Sequence, residues 1–201
     1  MEAYLTRGQL YFDKGKIEQA LSDFGEVQCL SPKLAAGYIG AGNCFEALGD
    51  IEKAIKSYSG AMEVDGNAKS EVLFKRGKLY YNMNERELAI KDISEYIGKI
   101  ESTNVEALLL LGKLQKKTED LNNALINFEQ VIKYDKEGKA TITAITKIAK
   151  IKLKEKDFYG AHHTLQRPTV LNIITVDTKK LKNYLTLTEA VTSFNVPRYF
   201  T

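Results

Sequence analysis

The 201-residue sequence predicts an all-α protein: a solenoid of about five helix-turn-helix hairpins closed by a C-terminal capping helix. Three observations carry that expectation. A self-similar segment recurs every 34 or 35 residues, apolar residues fall at helical spacing inside each copy, and only three prolines interrupt the chain.

The copies align without a gap as YLTRGQLYFDKGKIEQALSDF, YIGAGNCFEALGDIEKAIKSY, LFKRGKLYYNMNERELAIKDI and LLLLGKLQKKTEDLNNALINF. Their shared glycines are Gly8, Gly42, Gly77 and Gly112; Ala20, Ala54, Ala89 and Ala124 follow twelve residues later, and Phe24, Tyr58, Ile93 and Phe128 four beyond those. A fifth copy, IAKIKLKEKDFYGAHHTL, has Ala149 in the glycine place, with Ala161 and Leu165 at the same intervals. In the first copy Tyr4, Gly8 and Tyr11 form one helical stripe and Ile17, Leu21 and Phe24 a second, with Lys14-Gly15 between them as a turn. Each copy therefore reads as two short antiparallel helices whose small residues stand where the helices cross. A lone hairpin cannot bury its stripe, so the hairpins must stack.

The expected array covers residues 1–167, in repeats of about 1–34, 35–69, 70–104, 105–141 and 142–167. Pro168 should stop the last helix near Arg167. Residues 168–177, with Val170, Leu171, Ile173, Ile174 and Val176, read as an extended connector, either tucked over the end of the stack or free to dock a partner. Asp177 then caps a final helix in 178–201, with Leu187, Ala190, Val191 and Phe194 on one face to cover the stack. No polar shielding helix precedes the first hairpin, which points to a piece or the edge of a longer protein.

Composition narrows the function classes. Apolar residues make up 44% and charged residues 27%, the balance of an ordinary globular chain rather than a collagenous, low-complexity or disordered one. The longest apolar run, residues 107–111, is far short of the roughly 20 residues that span a bilayer, and the opening MEAYLTRGQL is not a secretory signal. Two cysteines, Cys29 and Cys44, are too few for a disulfide framework; they are expected as small buried thiols in a cytoplasmic protein. Charge divides unevenly: the first hundred residues carry a net −2 and the remainder +5.

Period, small-residue spacing and Pro32 after the second helix resemble tetratricopeptide repeats over residues 1–165 or so. The first-helix aromatic, Tyr11, Phe45 and Tyr80, becomes Gln115 and Lys152 in the last copies, and the family's proline appears once. The resemblance implies a right-handed α-solenoid whose first helices line a concave groove that holds a partner polypeptide. Carried over copy by copy, that groove receives Leu5, Gln9, Phe12 and Asp13; then Ile39, Asn43, Glu46 and Ala47; then Phe74, Lys78, Tyr81 and Asn82. The fourth copy gives Leu109, Lys113, Lys116 and Lys117, and the fifth Thr146, Lys150, Leu153 and Lys154.

The expected partner-binding set is Asn43, Phe74, Lys78, Tyr81, Lys113, Lys116, Lys117, Lys150 and Lys154, taking an extended or helical protein segment of acidic character. The competing account of the lysines is an ordinary solvated face. A carboxylate clamp for chaperone tails is argued against, since Glu71 or Glu106 falls where it needs a cation. Helical repeats of this size also read RNA, and an accessory domain of a larger enzyme is a further alternative; Asp13 and Glu46 in the groove disfavour phosphate.

No catalytic, cofactor or metal motif is present, so neither an enzyme nor a cofactor is expected. His162-His163 are adjacent on a helix and diverge by about 100°, which suits packing better than chelation. His162 takes the apolar place of Leu21, Ile55, Ile90 and Leu125. The reading is a non-catalytic scaffold within a multi-protein assembly, without nucleic acid or membrane.

Overall fold

The computed structural model describes residues 1–135 and 138–166, together with Thr186, Thr188 and Ala190. The described residues form ten α-helices and one short 3-10 turn, with no strand, so the all-α expectation holds. The chain packs as two compact units, Met1–Ser102 and Thr103–Thr201.

The first unit holds three hairpins: α1 (Glu2–Asp13) with α2 (Ile17–Leu30), α3 (Ala35–Ala47) with α4 (Ile51–Val64), and α5 (Lys69–Asn82) with α6 (Arg86–Lys99). The second holds α7 (Val105–Lys117) with α8 (Leu121–Tyr134), and α9 (Lys139–Lys154) with α10 (Phe158–Leu165).

All five hairpins turn the same way. The residue after each first helix's cap takes a left-handed conformation: Gly15 (φ 72°), Gly49 (78°), Asn84 (62°), Glu119 (61°) and Lys156 (62°). The next residue returns its N–H to a carbonyl inside the helix: Lys16 to Tyr11 at 2.8 Å, and Asp50 to Phe45, Glu85 to Tyr80, Asp120 to Gln115 and Asp157 to Lys152 at 2.9 Å each. This is the Schellman closure, which satisfies carbonyls the helix end would leave unpaired. The first-helix aromatic thus stands where the main chain does the closing. Gln115 and Lys152 can replace it without changing the turn. Asp50, Asp120 and Asp157 then cap the following helices, accepting from the N–H of Lys53, Asn123 and Gly160.

Packing explains the repeated small and large residues. A Cβ added to Gly42 would stand 2.5 Å from the Tyr58 ring, to Gly77 2.7 Å from Ile93, and to Gly112 2.7 Å from the Phe128 ring. At Gly8 the approach to Phe24 is looser, 3.2 Å. Each glycine is the floor on which its own hairpin's large residue lies. Ala20, Ala54, Ala89, Ala124 and Ala161 are fully buried. In the fifth hairpin Ala149 packs with Leu165, so the larger floor meets a thinner aliphatic side chain. Gly40 lets α3 sit on the Phe24 ring of the preceding hairpin, where a Cβ would come within 2.5 Å.

Cys44 is buried, and burial pushes its thiol up to about 11. The expectation that both thiols are buried fails for Cys29, which is exposed. The buried stripe of α2 ends at Val27, and two residues on the helix has turned about 200°, carrying Cys29 to the outside. The connector at 168–177 and the positions Asp177, Leu187, Val191 and Phe194 lie outside the described residues. Ala190 is helical and exposed, while Thr188 is helical and buried. The Thr188 hydroxyl is 3.2 Å from Nδ1 of the half-buried His162, a polar packing partner in keeping with the packing role expected of that histidine.

Candidate functional site

Within the first unit, the first helices surround a cavity of about 490 Å³. Leu5, Gln9 and Leu10 of α1, Ile39, Gly40 and Asn43 of α3, and Glu71 of α5 line it, with the Phe24 ring showing through at Gly40. Leu5, Gln9, Ile39 and Asn43 are sequence-derived groove positions. Their common wall follows from the repeat, because equivalent residues of successive first helices fall on one side.

A polar cluster holds one end of that wall. The hydroxyl of the fully buried Tyr58 lies 2.8 Å from Asn43 Oδ1 and 2.8 Å from Glu46 Oε2, with one proton to donate. Lys75 donates to Asn43 Oδ1 at 3.0 Å and pairs with Glu71 at 3.7 Å. Burial, helped by Glu46, raises the Tyr58 hydroxyl far above its ordinary titration range. Asn43 Oδ1 and Glu46 Oε2 therefore share the single Tyr58 proton, and Lys75 is the second donor that fixes the amide oxygen. Asp13 accepts from Gln9 at 2.8 Å, and Phe12 packs against the core of the first hairpin.

The remaining expected positions of this unit sit on α5. Phe74 is half-buried and stacked on Tyr96 of α6, with centroids 5.2 Å apart and planes 19° from parallel, and the Lys78 ammonium lies 4.9 Å over its ring. Tyr81 is half-buried and Asn82 exposed. Phe74 thus serves hairpin packing as well as the face it shares with Lys78.

In the second unit the first-helix face is basic. Lys113 and Lys116 of α7 and Lys147 of α9 are half-buried, and Lys117, Lys150 and Lys154 are exposed. Burial, then repulsion from Lys116, Lys150, Lys113 and Lys117, lowers the Lys147 ammonium below the usual lysine value. The lysines of both helices therefore share one neighbourhood. Lys154 is engaged at 3.0 Å by Glu119. Among the described residues, Lys113, Lys116 and Lys147 have no carboxylate within ion-pair distance.

Several structured residues escaped the sequence reading. Arg7 and Asp23 form a two-pronged pair at 2.7 and 2.8 Å, and Arg76 and Asp92 repeat it at 2.7 and 2.8 Å, with Asp23 and Asp92 buried. Arg76 also donates to Ser59 of the preceding hairpin at 2.8 Å. The signal was legible: an arginine just before the repeat glycine, with an aspartate sixteen residues on, in two copies. Glu71, weighed in the sequence as a clamp position, does line the cavity, whereas the contact of Lys75 with Asn43 carried no such sign.

Among the described residues, no three His, Cys, Asp or Glu side chains gather as a metal site, and no helix is long and apolar enough to cross a membrane.

Comparison with known proteins agrees with this architecture. The "Tetratricopeptide repeat" family model matches residues 2–33, 35–67 and 105–137. Anaphase-promoting complex subunit 3 of Schizosaccharomyces pombe is 27% identical over 139 residues, covering 69% of this chain and 20% of that protein. This chain thus spans about a fifth of that relative's length.

Among solved structures, MamA from Desulfovibrio magneticus RS-1 superposes with a TM-score of 0.71 at 16% identity, over 88% of this chain and 97% of that one. YrrB, described as a TPR protein with an unusual peptide-binding site, gives 0.71 at 16% identity over 94% and 90%. A tetratricopeptide repeat protein from Parabacteroides merdae gives 0.70 at 16% identity over 96% and 73%. At these identities the likeness is one of fold.

Proposed function

Because this chain carries tetratricopeptide repeats, we propose that it is a non-catalytic scaffold that holds a segment of a partner protein against its first-helix faces, as a component of a multi-protein assembly in the cytoplasm. The observation that carries this reading is the cavity walled by α1, α3 and α5, with apolar Leu5, Leu10 and Ile39 beside polar Gln9 and Asn43. Such a mixture suits an extended or helical segment, whose side chains need apolar seats and whose main chain needs donors and acceptors. Phe74, Lys78 and Tyr81 extend that seat along α5. On α7 and α9, Lys113, Lys116, Lys117, Lys150 and Lys154 offer a basic face to an acidic stretch. The peptide-binding site named for YrrB and the complex named for the Schizosaccharomyces pombe relative favour the same reading.

A photo-crosslinking amino acid placed at Gln9, and separately at the exposed Glu63 of α4, tests it. The expected result is one discrete protein adduct from position 9 alone, abolished by Ile39→Glu. Equal adducts from both positions, or an adduct indifferent to Ile39→Glu, would overturn it.

A further inference from the structure

The second unit concentrates positive charge more sharply than binding a generally acidic segment requires. Lys113 and Lys116 lie one turn apart on α7, and Lys147 and Lys150 stand in the same relation on α9. Lys113, Lys116 and Lys147 are half-buried, so their stems are packed and their ammonium groups are limited in where they can go. None of the three has an ion-pair partner among the described residues, although nearby carboxylates exist. Glu119 is held by Lys154, and Glu106 lies about 10 Å up the axis from Lys113. Half-buried like charges without counterions raise the free energy of the fold unless an anion sits among them.

We propose that Lys113, Lys116 and Lys147 form a receptor for a phosphorylated serine or threonine on the partner's segment. This rests on the reading that the α7 and α9 face holds such a segment. The distribution of charge favours a phosphate over a run of carboxylates. A phosphomonoester brings a charge of about −1.5 to −2 and three acceptor oxygens to one point, enough to meet three ammonium groups at once. An extended acidic segment instead spaces carboxylates on one side about 7 Å apart, delivering single charges along a line. Lysine binds phosphate as a point charge, so the ammonium groups of α7 and α9 can meet it without arginine's planar fork, which would suit phosphate and carboxylate alike. Both helices also lack any aromatic residue, so an RNA strand would find charge but no platform for its bases.

The test uses the full chain, isotopically labelled, and short peptides identical except for one position occupied by phosphoserine, glutamate or serine, with inorganic phosphate and oligouridylate alongside. The expected result is that phosphoserine peptide shifts α7 and α9 resonances and binds at least about tenfold more tightly than the glutamate version. The double variant Lys113→Gln/Lys147→Gln should lose that preference. It should melt no lower than the parent, because like-charge repulsion has been removed, so lost binding would not be unfolding. Equal binding of the glutamate peptide would overturn the phosphate receptor yet leave the acidic-segment reading intact. Silence of α7 and α9 toward every peptide would overturn both. Inorganic phosphate binding as tightly as the phosphopeptide would mean an adventitious ion only, and tighter oligouridylate binding would assign the patch to nucleic acid; either result overturns the proposal.

Discussion

The two units solve one packing problem and then diverge. In both, a small residue on the first helix receives a large apolar one sixteen positions later, and in both the turn closes through a left-handed residue. Their polar chemistry differs. The first unit buries the carboxylates of two ionic pairs, exposed Arg7 with Asp23 and half-buried Arg76 with Asp92; the second places Leu111 and a buried Asn127 at the equivalent positions, the amide donating to Gln115 at 2.7 Å. The first turns glycine or asparagine through positive φ, and the second uses Glu119 and Lys156. The hairpin core is fixed by geometry, while the turn tolerates change because main-chain atoms close it.

Truncating the large residue should have the greatest effect and strike each unit separately. Tyr58→Ala and Phe128→Ala should each cost about 3–5 kcal/mol, with hydrogen exchange rising in α3–α4 for the first and α7–α8 for the second. A uniform rise through both units in either variant would contradict nearest-neighbour stacking.

Next come the buried polar pairs. Asp92→Ala strands the largely buried Arg76 and should cost about 3–5 kcal/mol, whereas Asn127→Ala removes a neutral partner and should cost about 1–3 kcal/mol, both read by denaturant unfolding. Equal costs would remove the distinction between an ionic and an amide interior.

The first unit should also be the more acid-sensitive. The Arg7 guanidinium bond holds the Asp23 carboxyl below the usual carboxylate range. A depressed native value contributes stability that is complete above the unfolded value, about 3.9, and is lost as pH falls through the lower native one. Exchange protection in α1–α2 should therefore fall with acid below about pH 4, and Asp23→Asn should flatten that dependence.

The smallest effect is a gain. Lys156→Gly relieves a side chain held at φ 62° and should stabilise the second unit by up to about 1 kcal/mol, less the entropy glycine adds to the unfolded chain. Gly15→Ala in the first unit should cost a similar amount. Thermal melts compare the two directly.

Much of this architecture was legible in the sequence, because a repeat reports packing several times over. The glycine-to-large interval identified the crossing residues before any coordinates did, and Gln9, Ile39 and Asn43 fell on the cavity wall as their register required. What stayed hidden depends on three-dimensional neighbours that no interval encodes. Lys75 meets Asn43 across 32 residues, and the place of the first-helix aromatic as the turn's carbonyl acceptor is a main-chain property. The exposure of Cys29 was missed because a free thiol is buried by default, whereas its place two residues past the buried stripe of α2 turns it outward. The Arg–Asp pairs were missed for a different reason: their interval was present, but charged residues are expected outside.

In this fold the first helices bind and the second helices support. Amide hydrogen exchange of the full chain, alone and with the protein crosslinked through position 9, measures this most directly. Added protection should concentrate in α1, α3 and α5, extending to α7 and α9 if the partner reaches the basic face. Protection concentrated in α2, α4, α6 and α8 would contradict it.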